Sequence, residues 1–524
     1  MEQENTMSTE VKVWSPFQEA VFEFTSRGRG NAVVEAVAGS GKTTTIVEAV
    51  RRMKGYVFLG AYNTKMGKEL AERTADMRNV TASTFHSIGF KALRFHAKGF
   101  ALQLDEKKVI KIAQHIADNG RPDLEVLVSP VARIVSMAKQ RGFGPLVDMT
   151  DMTAWEDMIF HFSFEEDLPE EIDLDKVIKF AQVVLNKSNQ DLNTIDYDDM
   201  IYLPLQRNLR TLQFDWVLID EAQDTNPTRR ALAKKLLKPT GRLVAVGDRH
   251  QAIFGFTGAD NDSLDQIARD FKAIRLPLSI TYRCPKAIVA HAQNWVSHIQ
   301  AADTAPEGVL STMDYGQVAD VVQIGDAILC RFNKYLVNLC FKLIRKGVPA
   351  KMEGRSIGEG LVALANRWKV KTLDALDKRL DAYQERETAK WMAKDKLDKI
   401  DQLNDKVDTL RTLMERAREQ GIHDVAELRN MIMSLFEDSA GSRKPCVVLS
   451  SVHRSKGLEW NRVFLLGRDE FMPSTMARSE WAQEQEINLI YVAVTRAKAE
   501  LVEVTGVRAA KEQTAQPAEQ PVAA

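Results

Sequence analysis

Two stretches of this chain carry residues whose types and spacing can do chemistry together. They are Ala36-Val37-Ala38-Gly39-Ser40-Gly41-Lys42-Thr43 and Phe214-Asp215-Trp216-Val217-Leu218-Ile219-Asp220-Glu221-Ala222-Gln223-Asp224. In the first, Gly39 and Gly41 let the backbone curl until its N–H groups face phosphate oxygens at a helix N-terminus, so that Ala38, Gly39, Ser40, Gly41 and Thr44 line an anion cradle. Lys42 is expected to reach the β- and γ-phosphates and the Thr43 hydroxyl to ligate Mg2+. Ala36 stands where the general pattern has its first glycine. In the second stretch a β-branched, apolar segment ends abruptly in acidic residues. A buried parallel strand reads this way when it delivers carboxylates to the carboxyl edge of a sheet. Asp220 is then the metal carboxylate, and Glu221 orients or deprotonates the attacking water. Alone, each stretch reads as a Gly-Ser turn or a capped strand. Together and in this order they point to hydrolysis of ATP with Mg2+.

Such side chains need sheets behind them. Short apolar segments ending in polar or glycine turns occur at Ala32–Ala36, Tyr56–Gly60, Trp216–Ile219, Leu243–Val246, Ala327–Cys330, Val447–Ser450 and Val463–Leu466, mostly separated by helical patterns. The expected fold is α/β, with two lobes built on parallel sheets. Residues 1–96 and 194–275 form the first lobe, and 97–193 a helical insertion in it. Residues 276–360 and 441–507 form the second lobe, and 361–440 a charged helical insertion. In that insertion Leu403, Val407, Leu410, Met414 and Ala417 keep a heptad-like seam, read as a helical hairpin packing within the molecule. Gly421 closes this helix and Val425–Leu435 starts the next. Residues 508–524, rich in Ala, Gln and Pro, read as a disordered tail.

At 524 residues the chain exceeds one comfortable core. Its net charge of -1 supplies no global basic field, so a nucleic-acid site must be a local groove. Cys284, Cys330, Cys340 and Cys446 are scattered, which argues against zinc or iron–sulfur chemistry and suits a reducing compartment. No apolar run approaches the ~18 residues of a membrane span, so a cytoplasmic location is expected.

With Asp-Glu-Ala-Gln-Asp after a strand, and Val246-Gly247-Asp248-Arg249-His250-Gln251-Ala252-Ile253-Phe254-Gly255-Phe256-Thr257-Gly258-Ala259 following, the sequence resembles the UvrD/Rep/PcrA family of superfamily 1 DNA helicases. Further motifs follow in the family's order across both lobes. The resemblance implies two RecA-like lobes and gives roles to particular residues. Gln18 would read adenine. Tyr282 would pack on the base and Arg283 would reach the γ-phosphate. Glu459, in His453-Arg454-Ser455-Lys456-Gly457-Leu458-Glu459-Trp460, would hold the ribose. Arg496, in Tyr491-Val492-Ala493-Val494-Thr495-Arg496-Ala497-Lys498, would be a second γ-phosphate contact. Thr84-Phe85-His86-Ser87 matches a DNA-contacting motif, and Asp196-Tyr197-Asp198-Asp199-Met200 an acidic-aromatic segment. ATP would then bridge the lobes, with Gln251 linking nucleotide state to the DNA track.

For the nucleic acid, Tyr62, Phe85, Phe254 and Phe256 are the candidate stacking platforms, since aromatic faces accept any base. For Phe85, core packing is an equal reading. Asn63, Lys65, His86 and His453 are candidate hydrogen-bonding or phosphate contacts. The chain departs from the family at Tyr62-Asn63-Thr64-Lys65, where Thr-Asn-Lys is common. It also has Phe256-Thr257-Gly258 for Trp-Arg-Gly, and a short second insertion. The expected activity is an ATP- and Mg2+-dependent motor on single-stranded DNA that unwinds duplex, with 3′→5′ movement implied by the resemblance. A translocase that strips proteins from DNA, and a nucleotide-gated DNA-binding or recruitment module, are the alternatives. Expected partners are single-stranded DNA, single/double-strand junctions, and single-strand-binding or recombination proteins. A monomer in a bacterial or phage-like setting is expected.

Overall fold

The computed structural model describes residues 13–97, 101–119, 121–162, 164–169, 172–191, 193–253, 262–393, 397–436, 445–477 and 480–509. They form two compact units, one running to 249 and resuming through 280, the other comprising 250–253 and the chain from 281.

The first unit holds strands Ala32–Ala36 (β1), Val57–Ala61 (β2), Val80–Thr84 (β3), Gln103–Leu104 (β4), Thr194–Ile195 (β5), Phe214–Ile219 (β6), Leu237–Gly247 (β7) and Ile274–Leu278 (β8). Six of them make a sheet in the order β3-β2-β6-β7-β1-β8, with every pairing parallel. Alternation along the strands divides its side chains between two cores. Val34, Leu59, Leu218 and Val244 face one side, where Phe22 of α1 (Pro16–Arg27) and Ile46 of α2 (Lys42–Arg51) cover them. Val33, Phe58, Val217 and Ala245 face the other, packed with residues of α4 (Phe85–His96), α9 (Tyr197–Gln206), α10 (Pro227–Lys235) and α11 (Ser263–Asp270). A sheet covered on both faces explains why its central strands read as unbroken apolar runs.

Helices α5 (Lys108–Asp118), α6 (Val128–Arg141), α7 (Met152–His161) and α8 (Leu174–Gln190) gather around a third core that includes Val131, Ile134, Trp155, Ile178 and Val184. The remaining helix of this unit, α3, spans Thr64–Arg73. The third core reaches Tyr202 and Leu203 of α9, which joins it to the lobe. Two fully buried lysines reinforce that junction. Lys108 Nζ donates to Asp199 at 2.7 Å, and Lys139 Nζ donates to Asp196 at 2.6 Å and pairs with Asp199 at 2.7 Å.

The second unit carries its own six-stranded parallel sheet, in the order Val309–Asp314, Ala497–Thr505, Trp460–Leu466, Ala327–Cys330, Val447–Ser451, Ala350–Met352. Helices Arg355–Asn366, Leu373–Ala393, Leu397–Glu419 and Val425–Leu435 interrupt it in sequence. Leu403, Val407, Leu410, Met414 and Ala417 are all buried, and their helix packs against Leu373–Ala393 and Asn333–Arg345 of the same unit. Gly421 follows that helix with φ +76°, the left-handed backbone that ends helices at low cost.

Five sheet strands were not anticipated: Val80–Thr84, Ile274–Leu278, Val309–Asp314, Ala350–Met352 and Ala497–Thr505. Four of them are sheet edges, where one side is unpaired and the sequence is more polar. The lobe boundary expected at 275/276 falls inside β8, and the first unit runs on to 280.

Candidate nucleotide and nucleic-acid site

In the first unit β1 ends at Ala36 and the chain turns through Gly39 at φ +71° and Gly41 at φ +77° before α2 starts at Lys42. Both angles lie where a Cβ is disfavoured, so the glycines are required by the turn. Gly41 is the N-cap of α2 and no side chain caps the helix, leaving its first N–H groups for an anion. The Ser40 hydroxyl in the same turn is buried and has no hydrogen-bond partner among the described residues. Ala38 is fully buried, while Thr43 and Thr44 are half-buried on the first turn of α2. Gln18 is 4% exposed and braces this loop: its amide oxygen accepts from Ser15 N at 3.1 Å, and its Nε2 donates to Thr45 Oγ1 at 3.0 Å.

Asp220 and Glu221 follow the end of β6, in the middle of the sheet. Asp220 is 3% exposed, its Oδ1 accepts from Glu221 N at 2.9 Å, and its Oδ2 has no hydrogen-bond partner among the described residues. Burial, reinforced by the Glu221 charge and opposed by Lys42, pushes its carboxyl up to about 7. A buried carboxylate oxygen without a partner, under the influence of a lysine, is what a cation site needs. Asp220 and Thr43 would hold Mg2+ there with the nucleotide's phosphates. No cluster of three or more His, Cys, Asp or Glu side chains suited to a metal occurs among the described residues, and a magnesium nucleotide requires none. Glu221 has φ +50°, a strained left-handed conformation that turns its side chain at the strand end. Its carboxylate accepts from Gln223 Nε2 at 2.6 Å.

Near the same sheet edge, Tyr62, His86, Asp198, Asp224 and Arg229 line a polar cavity of about 180 Å3. The Arg229 guanidinium lies 5.1 Å from the Tyr62 ring centroid. No motif flagged Arg229; its position in α10, just past the Asp-Glu strand, was the available signal. Burial and the Arg229 charge push His86 down to about 4, so it is neutral at pH 7. Asn63 spends its side chain capping α3, its Oδ1 accepting from Met66 N at 3.0 Å. Lys65, one residue into that helix, is exposed.

Phe85 corrects an expectation. It is 2% exposed and meets Phe58 edge-on, with ring centroids 5.4 Å apart. A Cβ at Gly60 would stand 2.5 Å from its ring, so the aromatic fills the core and offers no face to a base. Phe254 and Phe256, the other two stacking candidates, lie outside the described residues.

In the second unit Tyr282 is 50% exposed, as a stacking platform must be. Beside it, Arg283 Nε donates to Glu459 Oε2 at 2.6 Å. Burial acts to raise the Glu459 carboxyl, but Arg283, Lys498 and Arg496 together hold it below the usual range. Arg496, for which the resemblance implied a second γ-phosphate contact, lies inside the second unit. It is 1% exposed, with Nε donating to Val492 O at 2.8 Å and Nη1 to Leu458 O at 3.1 Å. Those bonds tie the end of helix Glu480–Val494 to the turn that carries Glu459. His453 is half-buried and pushed down to about 3 by burial and the nearby Arg331 charge, so it too is neutral. Gln251 is buried and its carbonyl accepts from Lys456 Nζ at 2.6 Å. Among the described residues, no helix is long and apolar enough to cross a membrane.

Two family models match the chain: the UvrD/REP helicase N-terminal domain over residues 14–272 and the UvrD-like helicase C-terminal domain over 363–505. The chain is 22% identical to DNA helicase II of Haemophilus influenzae across 90% of its own length and 81% of that protein. It is 24% identical to ATP-dependent DNA helicase Rep of Escherichia coli over 53% of its length, spanning 42% of Rep. It is 25% identical to F-box DNA helicase protein 1 of Schizosaccharomyces pombe over 90% of its length, spanning 55% of that protein. The parallel sheets, the phosphate loop and the acidic strand end thus accompany sequence matches in both halves, and the chain belongs to the UvrD/Rep-like family of superfamily 1, the ATP-hydrolysing DNA helicases.

Proposed function

We propose that this chain is a motor that couples hydrolysis of Mg2+-ATP to 3′→5′ movement along single-stranded DNA and to opening of duplex ahead of it. The observation that carries the reading is the buried Asp220 with its half-buried neighbour Glu221, just past the carboxyl end of β6 and under the charge of Lys42 from the phosphate loop. The α2 N-terminus and Lys42 bind the phosphates, and Tyr282 and Glu459 hold the nucleoside. Gln18, braced by Ser15 and Thr45, recognises the adenine. Glu221 aligns the attacking water and takes its proton, while Lys42 and Arg283 offset the charge that develops on the γ-phosphoryl oxygens. Mg2+ bound by Asp220 and Thr43 would neutralise phosphate charge. Arg496 acts from inside the second unit, fixing the turn that carries Glu459. Tyr62 and Lys65 serve the DNA track, Tyr62 through its ring and Lys65 through its charge.

The residues between 355 and 435 favour a second reading, a translocase that displaces proteins with weak unwinding. Their apolar seam is consumed against helices of their own unit. Strand-displacement assays on 3′- and 5′-tailed duplexes, run beside displacement of a protein bound to single-stranded DNA, separate the two. Unwinding confined to the 3′-tailed duplex supports the first reading. Protein displacement without unwinding supports the second, and activity on the 5′-tailed duplex alone contradicts the polarity.

A further inference from the structure

Gln223 lies two residues beyond the water-orienting carboxylate, on the short helical turn Ala222–Asp224, and is 1% exposed. Its amide points in two directions at once. Nε2 donates to Glu221 Oε2 at 2.6 Å and approaches Asp224 Oδ2 at 3.4 Å. Oε1 accepts from the backbone N–H of Asp248 at 3.0 Å. Asp248 follows β7, the neighbour of β6 in the sheet, with Ile219 in register with Ala245. One side chain therefore bridges the two strand ends and touches the catalytic carboxylate.

The chemistry of the bridge selects glutamine. A glutamate would set a second anion against Glu221 and could not donate to it. A leucine would leave the buried Asp248 N–H without its acceptor. Gly247 provides an independent sign of the same constraint. Its φ is not positive, so it is not glycine for a turn. A Cβ there would stand 2.5 Å from Gln223 Oε1, and 3.0 Å from Gln223 N. Glycine at 247 makes room for the amide. The turn Arg249–Gln251 comes next, and Arg249 pairs with Glu35 at 3.0 Å and with Asp265 at 3.1 Å, anchoring its start.

We propose that Gln223 is a positioning residue for hydrolysis: it holds the Glu221 carboxylate in the orientation that accepts the water's proton, and links that orientation to the Gly247–Asp248 strand end. The proposal rests on the assignment of Glu221 as the water-activating group. Displacement of the strand end passes to Glu221 through this amide.

The test is steady-state ATP turnover by the full chain at saturating single-stranded DNA, for wild type and the variants Q223L, Q223E, Q223A, G247A, Q223A/G247A and E221Q. Binding of a fluorescent ATP analogue is measured alongside. Q223L and Q223E are expected to lower kcat by about 10- to 100-fold, a share of what a well-placed general base contributes, with analogue affinity and KM for ATP within about threefold of wild type. G247A lowers kcat like Q223L, and Q223A/G247A is close to Q223A, because the nearest group that the new methyl would strike, Gln223 Oε1, is gone and only the looser 3.0 Å approach to Gln223 N remains. Q223L with wild-type kcat while E221Q is inactive would overturn the positioning role alone. Losses that multiply in Q223A/G247A overturn the shared mechanism. Turnover that persists in E221Q overturns the Glu221 assignment, and the proposal falls with it.

Discussion

At the residue scale the most telling group is Asp220. An ordinary carboxyl titrates near 3.8, whereas burial pushes this one up to about 7. Between those values the folded protein keeps a proton that the unfolded chain releases. The resulting destabilisation is absent below about pH 4, grows with pH, and is complete above pH 7. Asp220→Asn removes the charge while keeping the shape. It should abolish ATP turnover yet raise unfolding stability by roughly 1–2 kcal/mol at pH 8, with a smaller gain at pH 5. Urea unfolding at the two pH values checks this; an equal effect at both would mean that Asp220 is not held neutral. The phosphate loop was legible from sequence because its glycines are needed by backbone geometry that composition cannot disguise. Phe85 was less legible. Read as a lone aromatic after Thr84-Phe85-His86, it suits DNA, but Phe85, Ile88 and Ala92 share one buried helix face, and that spacing was the signal for the core. Gln223, with Asp224, reads from the sequence as a connection from the acidic pair toward the DNA side. Its two-way amide depends on β7, which the sequence does not place beside β6.

At the element scale, the helices α5–α8 are bound to the lobe through charge as well as apolar packing. Lys139 is fully buried between Asp196 and Asp199, and their carboxylates hold its pKa above the ordinary value despite burial. Removing one member of such a group strands the others in a medium of low polarity. Lys139→Met is expected to cost about 3 kcal/mol in the urea unfolding of the chain, and a change below about 0.5 kcal/mol would show that water or relaxation compensates the carboxylates. Sequence patterning picked out the central strands, whose residues are apolar on both faces. It passed over Val80–Thr84, Ile274–Leu278, Val309–Asp314 and Ala350–Met352, since edge strands carry polar residues such as Thr81, Arg275, Ser311 and Lys351. Ala497–Thr505 is an inner strand, yet Lys498, Glu500 and Glu503 break its apolar run, and Glu503 is committed to His291 at 3.0 Å. The seam from Leu403 to Ala417 was legible because its three/four spacing admits one buried face.

At the scale of the whole molecule, the first unit carries the phosphate loop and the acidic pair, and the second carries Tyr282, Arg283 and Glu459, the residues to which the proposed function assigns the nucleotide. The near-neutral chain, with a net charge of -1, offers no global basic field, so the proposed DNA track relies on local features, for which Lys65 and Tyr62 are proposed. Family membership was legible from the order of motifs, which no single motif could have carried. The side-chain partners of Arg496 were not, since its burial depends on the helix Glu480–Val494 folding back over the Leu458–Glu459 turn.

The most direct measurement is ATP turnover by the wild-type chain and by Glu221→Gln, with Mg2+, in the presence and absence of single-stranded DNA. Turnover by the wild type should rise at least about tenfold with DNA, and Glu221→Gln should reduce the stimulated rate by about 100-fold or more while still binding nucleotide. Wild-type turnover indifferent to DNA, or a Glu221→Gln protein that hydrolyses ATP like the wild type, would contradict it.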